Sequence, residues 1–212
     1  MLIWIFRLLA VFGILLTADG ALAQAYPSKP IRFVVPYPPG GPTDILGRAV
    51  AQALTESLGQ TVVVENKAGA SGMIGAEQVA KATPVGYTIL VNASIHVINP
   101  SLFSKTTFDA MKDFEPVTQI ATVPLILVVG QSVQANSVKD VIALAKASPG
   151  KLTFASSSVG ATPHLAGELM KRMAGIDIVH VPYKGSAPAT TDLIGGHVTM
   201  MIDSMPSSIA HV

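Results

Sequence analysis

Two short stretches combine residue types that could hold an anion. The first is Pro36-Tyr37-Pro38-Pro39-Gly40-Gly41-Pro42-Thr43-Asp44, which follows an apolar run at residues 31–35. Apolar residues recur at helical spacing after it, so the stretch links a strand to a helix. Gly40 and Gly41 lack a Cβ, which lets the backbone turn sharply and come close to a ligand. The first amides of the helix point out of it, and the helix dipole favours negative charge there. Thr43 or Asp44 is the expected N-cap, because either side chain can accept one of those amides. An ordinary turn between strand and helix has the same features, so this stretch alone leaves both readings open.

The second stretch is Ser156-Ser157-Ser158-Val159-Gly160-Ala161-Thr162-Pro163-His164. Its hydroxyls and the amides of a helix start can hold a carboxylate without a cation. Thr162 reads as an N-cap with Pro163 at the first helical position. A strongly polar helix cap is the other reading.

Other chemistries fit less well. His96, His164 and His180 could activate a serine, with Asp44 or Asp203 as orienting carboxylate. The chain has no Gly-x-Ser-x-Gly elbow. A small serine-hydrolase-like α/β enzyme is kept as the alternative. No two histidines stand at i, i+4 on an expected helix, and no carboxylate cluster accompanies them, so neither a metal site nor a cofactor is expected. The Gly40-Gly41 loop lacks the Gly-Lys-Ser/Thr ending of a P-loop and the Gly-x-Gly-x-x-Gly dinucleotide pattern. Lys184-Gly185 reads as a solvated charge at a lobe edge. The 212-residue chain carries net charge +1 and no cysteine. That excludes disulfides and thiolate chemistry and gives no footprint for nucleic acid.

The elements that must position these loops follow from periodicity. Residues 1–17 are almost wholly apolar around Arg7 and lead to Ala21-Leu22-Ala23, the order of an export signal cleaved after Ala23. The uninterrupted run at 8–16 is shorter than the roughly 20 residues that span a bilayer. Strands are expected at 31–36, 61–65, 87–91, 123–129, 152–155, 177–181 and 197–202. A helix presenting Ile45, Leu46, Ala49, Val50, Ala53, Leu54 and Leu58 should stop at Gly59. Further helices are expected at 73–82 with Ile74, Val79 and Ala80 inward, at 138–147, from Pro163 to 173, and up to 194. Residues 92–100 read as a loop, and 101–116 as an irregular excursion anchored by Phe103, Phe108, Met111 and Phe114. This alternation predicts α/β lobes with mostly parallel sheets covered on both faces. The Gly/Ser/Thr loops then leave the carboxyl ends of strands, where such sheets bind ligands. Residues 123–129 mark a crossing between lobes, which divides the chain into lobe one, 24–122, and lobe two, 123–212.

Five segments carry a resemblance: PYPPGGPTDILGR, VENKAGASGMIGAE, INPSLF, SSSVGATPHLAGEL and VPYKGSAPATTDLIGGHV. In this order and spacing they resemble the Bug-type, TctC-like solute receptors of tripartite tricarboxylate transporters, over residues 26–212. The resemblance implies a type II periplasmic binding protein with two Rossmann-like lobes and a ligand cleft. It implies a monomeric, non-enzymatic periplasmic receptor for a small organic carboxylate: a di- or tricarboxylate, an acidic amino acid or an aromatic acid. Membrane permease subunits would take over the ligand. Carried over by position, Pro39, Gly40, Gly41, Thr43, Asp44, Ser71, Ser94 and His96 line the first lobe's side. Ser157, Gly160, Thr162 and His164 form the second lobe's carboxylate loop, and Ser186, Ala187 and Asp203 flank the far end. Family members continue past the position of Val212 and cross back to lobe one. The resemblance therefore implies a truncated chain with an incomplete first lobe, and a non-binding truncated receptor is a further alternative.

Overall fold

The computed structural model describes residues 26–211. The export signal and its cleavage after Ala23 lie outside the described residues. The first lobe runs β1 (Ile31–Val35), α1 (Pro42–Leu58), β2 (Val62–Asn66), a 3-10 turn (Ala70–Gly72), α2 (Met73–Ala80), β3 (Thr88–Leu90) and α3 (Ile95–Leu102). The second runs β4 (Leu125–Val129), α4 (Val138–Ala147), β5 (Thr153–Ser156), α5 (Thr162–Ala174), β6 (Val179–Pro182), α6 (Ser186–Ile194), β7 (Met200–Ser204) and the short α7 (Met205–Ser208), ending in a 3-10 turn (Ile209–His211).

Two separate sheets result, ordered β2-β1-β3 and β4-β7-β5-β6. In each lobe the first βαβ strand is central and its two successors flank it, all parallel. β4 is the exception to the parallel expectation. It pairs antiparallel with β7, Leu125 opposite Ser204.

Burial explains the central strands. Ile31, Phe33, Val34 and Val35 of β1 are all buried, as a strand covered on both faces requires. Ile31, Phe33 and Val35 pack with Ala51, Val62 and Val91. The second sheet has a core on each face: Val141, Phe154, Ile178 and Met200 on one, Ala155, Ala189, Leu193 and Met201 on the other. α5 reaches its sheet through Gly167, where a Cβ would lie 2.2 Å from Phe154 Cε2. α4 starts at Ser137, whose hydroxyl oxygen accepts the Asp140 N–H at 3.2 Å and whose O–H donates to Asp140 Oδ2 at 2.8 Å. The Ser137 hydroxyl and the Asn136 N–H hold the Asp140 carboxyl below its usual range.

Several expectations change. Gly41, not Thr43 or Asp44, caps α1, with Pro42 just inside the helix. Proline fits the first turn because its missing N–H would have been unpaired there. Ala161, not Thr162, caps α5. Ile45 and Leu58 are exposed, and α1 instead buries Gly47 and Ala51. Ile74 is also exposed, and α2 turns Gly75 and Ala76 inward. Only small residues fit there, since a Cβ at Gly75 would sit 2.8 Å from Pro36 Cβ. The loop expected at 92–100 is largely α3, which buries Ile95 and Asn99 on one face and carries Pro100 inside it. In the excursion after α3, Phe108 and Phe114 pack near Ala76, whereas Met111 is 76% exposed and anchors nothing.

Two outcomes test this packing. Gly167→Ala should destabilise the chain by about 1–3 kcal/mol through overpacking, and Phe154→Leu in the same chain should recover part of the loss. Urea melts check both, and a Gly167→Ala melt within about 0.5 kcal/mol of wild type refutes the contact. Ser137→Ala should cost about 1 kcal/mol in the same assay.

Candidate functional site

The loops at the carboxyl ends of the strands in one lobe meet those of the other. Ser71, from the loop after β2, places Oγ 3.0 Å from Ser158 Oγ and donates to the Val159 carbonyl at 3.1 Å. Ser94, after β3, places Oγ 2.8 Å from Thr162 Oγ1 at the start of α5. Pro38 packs on Gly185, where a Cβ would lie 3.2 Å from Pro38 Cγ. Gly160 has φ +81°, and a Cβ there would fall 2.3 Å from Leu102 Cδ1. Gly160 therefore needs glycine twice, for its backbone angle and for its neighbour.

Behind these contacts each loop is braced by its own lobe. Asp44 is 3% exposed. Its carboxylate accepts Gly40 N–H at 3.0 Å, Arg48 Nε at 3.0 Å and Asn66 Nδ2 at 2.9 Å. Burial alone would raise this carboxyl, but those donors outweigh it and hold Asp44 below its usual range. So Asp44 reaches back into the Gly40 turn instead of capping its own helix. Asn66 also donates to the Tyr37 carbonyl at 3.0 Å, and the Tyr37 hydroxyl donates to Asn92 Oδ1. Burial pushes the Tyr37 hydroxyl well above its ordinary range.

Ser71 sits at φ 53° beside Ala70 at φ 47°. Non-glycine residues rarely adopt that region, and the strain falls on the loop that touches the second lobe. Asn99 steadies it: its Nδ2 donates to the Ser71 carbonyl at 3.0 Å. Sequence reasoning missed Asn99. The available signal was an amide four residues after Ile95, on the apolar face of α3.

In the second lobe, Gly185 N–H donates to the Ser157 carbonyl at 2.8 Å and Tyr183 N–H to the Ser156 carbonyl at 2.9 Å. The loop after β6 is thereby laced to the loop after β5. Gly160 N–H donates to His164 Nδ1 at 3.1 Å. The Tyr183 hydroxyl donates to Asp192 at 2.6 Å, and burial, with that carboxylate, pushes it up to about 12.

The other expected site residues divide. Pro39, Thr162 and Ala187 are exposed at the meeting loops, and Thr43 and Ser157 are half-buried. Gly41 is buried, and its carbonyl accepts Ile45 N–H at 3.0 Å. Lys184 is exposed. Asp203 is fully buried, taking the Ser186 hydroxyl at 2.7 Å and the Ser207 and Ser208 hydroxyls on its other oxygen. Ser186 and Asp203 thus tie the start of α6 to α7, and their polar atoms are spent on each other. His96 stacks on Phe108 with ring centroids 5.6 Å apart and meets the Phe114 edge-on at 4.7 Å. Burial lowers its basicity.

The chemistry available is hydroxyl and amide donation from both lobes. Arg48, which shares Asp44 with the Gly40 N–H, is committed to Asp44 and Asn66. Ser156 and His180 do touch, Oγ to Nε2 at 2.7 Å, but Ser156 is fully buried, the His180 ring lies between Phe154 and His164, and among the described residues no carboxylate hydrogen-bonds it. Among the described residues no group of three or more potential metal ligands occurs, and no helix is long and apolar enough to cross a membrane. A cavity of about 260 Å³ opens elsewhere, between β4 and α6, lined by Leu127, Val129, Thr190 and Leu193. It is mainly apolar and lies away from the facing hydroxyls, so the loops are the better candidate.

Comparison with known proteins agrees with this geometry. Residues 46–212 match the family model described as tripartite tricarboxylate transporter family receptor. The chain is 41% identical to Protein BugT of Bordetella pertussis, over 97% of this chain and 65% of that protein. It superposes on R. palustris Rpa4515, solved with adipate, with TM-score 0.84 and 42% identity, over 86% of this chain and 62% of that one. MatC (Rpa3494) from Rhodopseudomonas palustris, solved with bound malate, gives TM-score 0.77 and 27% identity, over 87% and 63%. The chain spans less than two thirds of each of these relatives. Its architecture is that of a two-lobed periplasmic binding protein. The chain belongs to the tripartite tricarboxylate transporter receptor family.

Proposed function

We propose that this chain is an extracytoplasmic receptor for a small carboxylate, that it catalyses no reaction, and that it serves membrane subunits of a tripartite tricarboxylate-type transporter from the periplasm. The observation that carries the reading is the facing of neutral donors: Ser71 and Ser94 of one lobe lie within 3.0 Å of Ser158 and Thr162 of the other. The adipate and malate held by two family structures support the ligand class.

Each of these hydroxyls now bonds another hydroxyl. A carboxylate entering between the lobes would replace neutral O–H···O bonds by charge-assisted ones, which are roughly twice as strong. The starts of α1 and α5 add amides and dipoles of the right sign. Pro39, Gly40, Gly41 and Thr43 would contribute from lobe one, and Ser157, Gly160, Thr162 and Ala187 from lobe two. Asp44, Asp203 and Ser186 would act as braces behind them. The lobes, 24–122 and 123–212, must part to admit ligand.

Isothermal titration of the exported chain against adipate, malate and an uncharged diol tests the reading. Heat with at least one acid and none with the diol is expected, and silence with every acid refutes it for this chain. Thr162→Ala should weaken acid binding roughly 10- to 100-fold, the loss of one hydrogen bond to a charged group, while its urea midpoint stays near wild type because Thr162 is exposed.

A further inference from the structure

The loop that carries Ser158 and Thr162 is held from behind by two histidines. His164, in the first turn of α5, accepts the Gly160 N–H on Nδ1 at 3.1 Å. An accepting nitrogen bears no hydrogen, so the neutral ring carries its proton on Nε2. His180, on β6, places Nε2 2.7 Å from Ser156 Oγ. Ser156 has a single hydroxyl hydrogen, and the Ser158 carbonyl lies within its reach at 3.2 Å. Both bonds form together only if His180 also carries its proton on Nε2 and donates it to Ser156. The rings stack with centroids 4.0 Å apart and 20° between planes, and Phe154 lies against His180 at 4.7 Å. One ring fixes Gly160 and the other fixes Ser156 and, through it, Ser158. The Gly160 end of the loop therefore depends on His164 being neutral, whereas a His180 protonated on Nδ1 would still donate from Nε2 to Ser156.

Protonation breaks this arrangement. A hydrogen on His164 Nδ1 would face the Gly160 N–H, donor against donor. Charge on both rings would set two cations 4.0 Å apart. The charged groups facing the pair are Glu168 and Lys171, both on α5 and joined to each other at 3.1 Å. β5 offers Phe154 and Ser156, and lobe one offers Ile95 and Leu102 against the Gly160 turn.

We propose that His164 and His180 are positioning residues, a stacked neutral pair that shapes the 157–161 loop for contact with lobe one, and that His164 lets go of Gly160 in acid. That the loop then loses hold of a carboxylate rests on the receptor reading; its coupling to the histidines does not. Burial lowers the basicity of both rings, and with the neighbouring His164 it brings His180 to about 4. A base whose folded-state pKa is depressed favours folding when neutral. Its contribution is complete above the ordinary histidine value of about 6.5 and is lost as pH falls from there toward the folded values.

Nitrogen-15 spectra of the full chain between pH 7.5 and 4 test the coupling. Both rings should show the Nε2–H tautomer at neutral pH, and the Gly160 amide should shift in step with protonation of His164. His164→Asn keeps an acceptor oxygen near the Nδ1 position and cannot titrate, so its Gly160 amide should stay fixed across the range. His180→Gln, which keeps the donor to Ser156, should leave the tautomer of His164 unchanged. A Gly160 amide that ignores His164 titration, or one that moves equally in His164→Asn, overturns the proposal. With adipate as probe, wild-type affinity should fall by up to about tenfold per pH unit once His164 titrates, and the His164→Asn affinity should not. Absence of adipate binding at every pH would count against the receptor reading, while the Gly160 amide would still decide the histidine coupling.

Discussion

The hydroxyl pairs Ser71–Ser158 and Ser94–Thr162 join two lobes whose sheets and cores are separate. Their strength is what the architecture depends on. A neutral hydrogen bond between partly exposed groups contributes about 0.5–1.5 kcal/mol net. These bonds and that of Ser71 to the Val159 carbonyl, with Pro38 on Gly185 and Leu102 beside Gly160, hold the lobes in register without fusing them. Contacts between the lobes are thus weaker than the buried contacts inside each lobe.

Inside the jaws the contrast is plain. The Gly40 turn hangs on a buried carboxylate with Arg48, Asn66 and backbone donors around it. The Ser71 turn hangs on Asn99, and the 157–161 loop hangs on the histidine pair and on Gly185 and Tyr183. Breaking any of these leaves a buried polar group unpaired, which costs more than a surface hydrogen bond is worth. Each loop is therefore stiff relative to its own sheet. The bonds between the lobes are therefore the ones exchanged at least cost.

The sequence made the alternation of strands and helices legible because burial on two faces writes continuous apolar runs such as Ile31 to Val35. The α/β fold and the two-lobed plan follow from it, and α4 matches to the residue. Small-residue packing was not legible: Gly75 and Gly167 carry no hydrophobic signal, yet they decide which helix face turns inward. α3 stayed hidden because Asn99 and Pro100 read as breakers, while the asparagine is buried for the hydrogen bond it gives Ser71. Residue type marked Asp44, Asp203 and Ser186 as polar groups near the loops, but only coordinates reveal that their partners are internal. Periodicity places a side chain on an element. It says nothing about which of several nearby donors that side chain chooses.

The same distinction bears on charge. A cation placed between the lobes would be costly to desolvate. This chain keeps its nearest arginine neutralised by Asp44 and keeps both histidines in environments that lower their basicity. The meeting loops present hydroxyls, amides and two helix starts, whose partial charges need no counterion. With neutral donors on both sides, what the facing loops present is set by their shape more than by charge. The histidines stand behind this surface: His164 accepts the Gly160 N–H, and His180 Nε2 meets Ser156 Oγ.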